Sequence, residues 1–227
     1  IVLEKVVFQS NKEFDEAKEI FNKKNINVWV NCPRRMYDFY KGIKKYFQSK
    51  DELQLIVHGG NWGLGCNSIH FLDLWTYFTE DYDFKLELSG LDQFIIDSKR
   101  EGFKEFTGTI FGYSSKNNKI LLTSLNDIKI PTTIQIYGKE ARISIMESKG
   151  KAWISLKENN WNQEEIEFNT PFQSQLSHLM AESILKNNNS DLISYDLSSK
   201  LHKPLIEILL KHLNNIENFT SDYCPIT

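Results

Sequence analysis

Thr133-Ile134-Gln135-Ile136-Tyr137-Gly138-Lys139-Glu140-Ala141-Arg142-Ile143-Ser144-Ile145-Met146 alternates apolar and polar side chains on either side of a Gly138-Lys139 turn. A period of two places Ile134 and Ile136 on one face of a first strand, and Ile143 and Ile145 on one face of a second. Working outward, the same pattern recurs at Thr109–Tyr113, Ile120–Leu125, Ala152–Leu156 and Glu165–Phe168. Asn117-Asn118 and Ser148-Lys149-Gly150 supply turns between these segments. Residues from about 84 to 168 therefore predict an antiparallel meander, the large open sheet of an α+β fold with helices packed on one face. Large residues on both faces, such as Trp153 beside Ile154, predict cover on the second face by another copy of the chain.

The segments before the meander have a different rhythm. Residues 1–8 form an apolar run broken only by Glu4 and Lys5, which reads as a buried strand. Ser10-Asn11-Lys12-Glu13 is a capping box, and Phe14, Ala17 and Phe21 follow at helical spacing. Ile26, Val28 and Val30 then alternate as a second strand. Strand, helix and strand make a βαβ unit with parallel strands, too small for a domain and expected to be the tail of a larger α/β sheet. A helix is predicted from Met36 to Phe47, a strand at Leu53, Leu55 and Val57, and a helix from about Asn67 to Phe78. After the meander, one helix is expected to start at Thr170-Pro171, and a second carries Leu201, Leu205, Ile208, Leu209 and Leu213 at core spacing.

Composition narrows the function. The 227 residues are 41% hydrophobic and 25% charged, which excludes a disordered chain. Lys plus Arg number 27 against 30 for Asp plus Glu, a net of −3, so a protein built to grip nucleic-acid phosphates is disfavoured. Cys32, Cys66 and Cys224 are odd in number and widely spaced, which argues against disulfides and zinc and fits a reducing cytoplasm. With five His, no metal site is expected. No apolar run is long enough to span a membrane, and no signal peptide opens the chain. The first residue is Ile rather than Met, so an upstream part is expected to have been removed.

Three stretches carry possible chemistry. His58-Gly59-Gly60-Asn61-Trp62-Gly63-Leu64-Gly65 precedes the helix in which Cys66, His70 and Asp73 share one face. A polar stripe on an otherwise apolar helix has two readings: a satisfied core histidine, or a proton donor and acceptor whose tautomer Asp73 fixes. The glycine-rich loop could also cradle a phosphate, with Glu87 about 20 residues on, but Ser68 stands where a third glycine is needed and Trp62 crowds the turn. Glu4-Lys5, a charged pair inside an apolar strand run, is either a strand end reaching solvent or part of a site, and Arg34-Arg35 is either surface or binds an anionic substrate group.

Taken in order, these stretches resemble the glucose–fructose oxidoreductase/inositol dehydrogenase/MocA family of NAD(P)-dependent sugar oxidoreductases. Leu3-Glu4-Lys5-Val6 is similar to the family's Glu-Lys-Pro junction, and Val30-Asn31 to Arg35 to the strand that enters the second domain. Cys66-Asn67-Ser68-Ile69-His70-Phe71-Leu72-Asp73 resembles its Asp-x-Gly-x-His-x-x-Asp helix. The resemblance implies residues 1–32 as the last βαβ of a Rossmann domain and 33–227 as a substrate-binding and oligomerisation domain. It implies hydride transfer between a sugar or nucleotide-sugar carbon and NAD or NADP in the intact protein, with no cofactor held by this chain alone. Lys5, His70 and Asp73 are then the catalytic residues, and Glu4 and Lys5 meet the cofactor. Arg35, Asn61, Trp62, Cys66 and Asn67 bind substrate, and the sheet forms a homodimer or homotetramer. Three departures stand out: Val6 for the Pro, Ser68 for the Gly, and Cys66 for the catalytic Asp. That last change motivates the rival reading, a non-catalytic ligand-binding or oligomerisation module of the same fold.

Overall fold

Alternation along the strands becomes one continuous apolar surface. The computed structural model describes residues 1–48, 50–218 and 220–227. In chain order its elements are β1 (Val2–Leu3), α1 (Asn11–Lys23), β2 (Trp29–Val30), α2 (Asp38–Lys44), β3 (Gln54–Gly60), α3 (Leu64–Thr79) and β4 (Phe84–Leu91). There follow β5 (Ile96–Asp97), β6 (Lys104–Glu105), β7 (Gly108–Ser114), β8 (Lys119–Leu125), β9 (Thr133–Tyr137), β10 (Ala141–Met146), β11 (Lys151–Leu156) and β12 (Gln163–Glu167). The chain closes with α4 (Gln173–Asn187), β13 (Ile193–Ser194) and α5 (Tyr195–Glu217).

Eight strands form the large sheet in the order β12-β11-β10-β9-β3-β8-β7-β4, antiparallel throughout except for β3 with β8. The expected meander is thus divided. β3 inserts between β8 and β9, so the chain makes two antiparallel arms that meet on a strand from before α3. Leu55 of β3 sits across from Ile120 on one side and Ile136 on the other, and Ile136 faces Ile143. These side chains are fully buried and form the inner face, on which α3 and α5 lie with Leu72, Trp75, Leu205 and Leu209 also buried. Burial of a Leu or Ile side chain contributes roughly 1.5–3 kcal/mol, so this face dominates the fold's stability. The opposite face carries a cross-strand row of Phe111, Leu121, Ile56, Gln135, Ser144 and Trp153, all half-buried and, among the described residues, not covered by a helix.

The N-terminal βαβ forms as its caps dictate. Ser10 Oγ accepts from the Glu13 N–H, and the Glu13 carboxylate accepts from the Ser10 N–H at 3.0 Å. β1 and β2 pair in parallel, and β13 joins β2 antiparallel. Val6, Phe14, Val28 and Val30 belong to the same core cluster as the sheet, so segment 1–32 is continuous in packing with the rest. The helix expected at Thr170 begins instead at Gln173. Thr170 Oγ1 donates to the Glu147 carbonyl, and the Gln175 side chain accepts from the Phe172 N–H to close the first turn.

Candidate active site

The helix α3 brings the sequence-derived candidates together, then divides them. Its N-terminal turn is set by the glycine-rich loop. A Cβ at Gly60 would lie 1.7 Å from the Ile128 carbonyl oxygen, and Gly63 has φ +79°, a conformation open to glycine. The helix N-terminus itself is occupied by a carboxylate. Gly65 and Cys66 donate their N–H groups to Glu105 at 2.9 and 2.7 Å, satisfying donors that a helix start leaves free. Those N–H groups are therefore not free for a phosphate, and Glu87 lies exposed on β4. The glycines serve close packing and turn geometry.

Lys5 leaves the first strand and reaches this turn. Its ammonium donates to the Cys66 carbonyl and to Asn67 Oδ1, both at 3.0 Å. Asn67 is held in place because its Nδ2 donates to the Trp62 carbonyl at 2.6 Å. The Lys5–Val6 peptide is cis, with Val where the family motif has Pro. His70 lies one helical turn beyond Asn67 on the same face, half-buried, with Nδ1 enclosed and without a hydrogen-bond partner among the described residues. Burial first, then the charges of Arg34, Lys5 and His202, push this imidazole well below its ordinary value. No carboxylate acts on it, so at neutral pH His70 is an uncharged base.

Asp73 does something other than orient His70. It is completely buried, and Arg35 grips it with two hydrogen bonds, Nη2 to Oδ1 at 2.7 Å and Nε to Oδ2 at 3.0 Å. Burial works against the Arg35 charge, but Asp73 more than offsets it and holds the guanidinium firmly protonated. The physical reason is the stripe's own spread: at 100° per residue, positions 70 and 73 lie about 60° apart, and a buried carboxylate takes the guanidinium beside it. Arg35, expected to bind substrate, is thereby committed to structure. Glu4, expected at the cofactor, accepts from Asn31 Nδ2 at 2.7 Å and Gln173 Nε2 at 3.0 Å, tying β1 to β2 and α4.

The remaining candidates divide similarly. Trp62 donates Nε1–H to the Thr123 carbonyl and packs edge-on against Phe71. Asn61 is exposed in a left-handed turn, φ +49°. Burial, then Glu105, pushes the Cys66 thiol up to about 12, so it is uncharged. Glu105 and His202 went unread in the sequence, and Arg34, expected at the surface or on an anion, is paired within the protein. Arg34 stacks over Phe71 at 4.5 Å and pairs bidentately with Glu147, which also accepts from Tyr40. Glu105 caps α3. His202 is buried on α5, with Nδ1 beside the Ser198 hydroxyl. Glu105 and His202 become neighbours of α3 and β1 only through long-range packing, and nothing local in the sequence marks them. Among the described residues no cluster could hold a metal ion, and no helix is long and apolar enough to cross a membrane.

No family model matches the sequence, and no curated protein matches it. Solved structures do. UDP-N-acetylglucosamine 3-dehydrogenase GnnA from Acidithiobacillus ferrooxidans superposes with a TM-score of 0.69 at 10% identity, covering 91% of this chain and 68% of its own. The dehydrogenase MviM from Clostridium difficile gives 0.61 at 14% identity, over 96% of this chain and 69% of its own. An oxidoreductase from Sinorhizobium meliloti gives 0.63 at 10%, over 94% and 70%. The chain has the fold of these oxidoreductases. The architecture expected from the motif resemblance is the one found: a large, mostly antiparallel sheet with helices on one face and a small sheet beside it whose β1 and β2 run parallel.

Proposed function

We propose that this chain is the substrate-binding and proton-transfer part of an NAD(P)-dependent oxidoreductase acting on a sugar or nucleotide sugar, with the dinucleotide-binding part in a separate segment. The observation that supports this most is the meeting of Lys5 with Asn67, one turn before a neutral, half-buried His70. A buried orphan nitrogen and an ammonium with a spare donor fit a site completed by bound molecules. When bound, nicotinamide supplies the hydride acceptor or donor.

The chain's own residues do the rest. His70 takes the hydroxyl proton as the alcohol carbon becomes a carbonyl, and returns it in the reverse direction. Lys5 donates to the oxygen where negative charge develops, and Asn67 aims the ammonium. Asp73 and Arg35 hold α3 against the turn at residues 33–36, so that the site does not shift. The test is turnover: the intact protein should reduce NAD(P)⁺ with a member of a sugar and nucleotide-sugar panel, and Lys5→Ala should slow it. No turnover with any member, beside binding of sugars, would favour the rival ligand-binding module, whose support is Cys66 in place of Asp.

The uncovered sheet face supports self-association. Phe111, Leu121 and Ile56 form an apolar patch on it, separated from Trp153 by Gln135 and Ser144 and framed by Lys85, Glu87 and Glu165, which suits the core and rim of an interface between copies. Light scattering should give a dimer or tetramer mass, and Trp153→Glu should lower it. A strictly monomeric wild type at high concentration would refute the assembly.

A further inference from the structure

Resting on the oxidoreductase reading, we infer that the substrate is an anion: a polyhydroxy carboxylate whose carboxylate group meets Lys5 beside the hydroxyl that faces His70. The charges around the first half of α3 can be paired off one by one. Glu105 is consumed by the helix N-terminus, accepting from Gly65 and Cys66. Arg34 is matched by Glu147 and Arg35 by Asp73. Glu4, next to Lys5 in sequence, accepts from two amides. Lys5 is left over. Its two acceptors, the Cys66 carbonyl and Asn67 Oδ1, are both neutral, and it forms no ion pair among the described residues.

A half-buried ammonium held only by neutral oxygens has its hydrogen bonds partly met and its charge unmet. Cys66 does not neutralise it, because that thiol stays protonated. An incoming anion would. The third N–H of Lys5 is the free donor, and in a 2-hydroxy carboxylate it is shared between the hydroxyl oxygen that loses its proton and the carboxylate oxygen beside it; Asn67 and His70, three residues apart, keep the proton-accepting ring on the same face of the helix. The geometry favours a carboxylate over a phosphate. A phosphate wants several donors, and both arginines and the helix N-terminus are already taken.

The experiment compares D-gluconate with D-glucitol, which has CH2OH where gluconate has the carboxylate, by titration calorimetry on the intact protein. Gluconate should bind at least about tenfold more tightly, and the advantage should shrink as salt rises. Asn67→Asp puts a carboxylate on the Lys5 ammonium and should reduce the gluconate-to-glucitol ratio to about twofold or less. Lys5→Met should do the same if it folds, and Asn67→Asp decides if it does not. Equal affinities, no gluconate binding, or an advantage that survives Asn67→Asp would overturn the inference. Inorganic phosphate displacing gluconate at equal concentration would overturn the carboxylate assignment. The two readings fail separately. Selective gluconate binding without nicotinamide turnover sinks the oxidoreductase reading alone. Turnover of glucitol as fast as gluconate sinks this inference alone.

Discussion

The two halves of α3 carry polar groups of the same kinds and treat them in opposite ways. In the second half, Asp73 is sealed from solvent and fully matched by Arg35. In the first half, among the described residues, Lys5 has only neutral partners and His70 Nδ1 has none. A stripe of polar residues on a buried helix is therefore not one feature. Its matched end holds the helix in place, and its unmatched end is the one proposed to meet a ligand.

The comparison can be broken most sharply at the matched end. Asp73→Ala leaves the Arg35 charge buried and unpaired, which should cost about 3–5 kcal/mol in urea denaturation. A small loss of stability with a complete loss of turnover would instead make Asp73 part of the chemistry and erase the division. Acid should reveal the next effect. Burial is the main cause that pushes the His202 imidazole down to about 4, while an unfolded histidine titrates near 6.5. Between those values the unfolded chain binds a proton that the folded chain does not. The stabilisation is complete above about pH 6.5 and is lost as pH falls, by roughly 3 kcal/mol near pH 4 for this one group. His202→Phe should flatten that slope in thermal melts between pH 6.5 and 4. An unchanged slope would mean that His202 is protonated in the fold.

Much of the fold was legible because period-two and helical spacing are local signals. Ile134, Ile136, Ile143 and Ile145 do form the inner face together, and the Ser10–Glu13 box caps α1. The position of β3 was not legible. Alternation identifies Leu55 and Val57 as strand residues but says nothing of the neighbours of Leu55, Ile120 and Ile136, some 65 and 81 places on. Within the site, Lys5, Asn67 and His70 were found through motif order, and the structure brings Lys5 to Asn67. The role of Arg35 was misplaced, since two adjacent arginines look alike in sequence and only the packing of residues 33–36 against α3 sends one to Asp73 and the other to Glu147. Glu105 gave no signal at all, because an acidic residue in a two-residue strand becomes a helix cap only once β6 lies against α3.

The most direct test of the unmatched end is His70→Asn in the intact protein, followed by both melting and turnover. His70 Nδ1 already lacks a partner, so the substitution should cost well under 1 kcal/mol of stability, while turnover should fall on the order of 10²–10⁴-fold. The double variant with Lys5→Ala should lose less than the product of the single losses, because both groups act on one oxygen. Near-wild-type turnover in His70→Asn, or a stability loss of about 1–3 kcal/mol with turnover falling only in step with the folded fraction, would contradict the account and make His70 a core histidine.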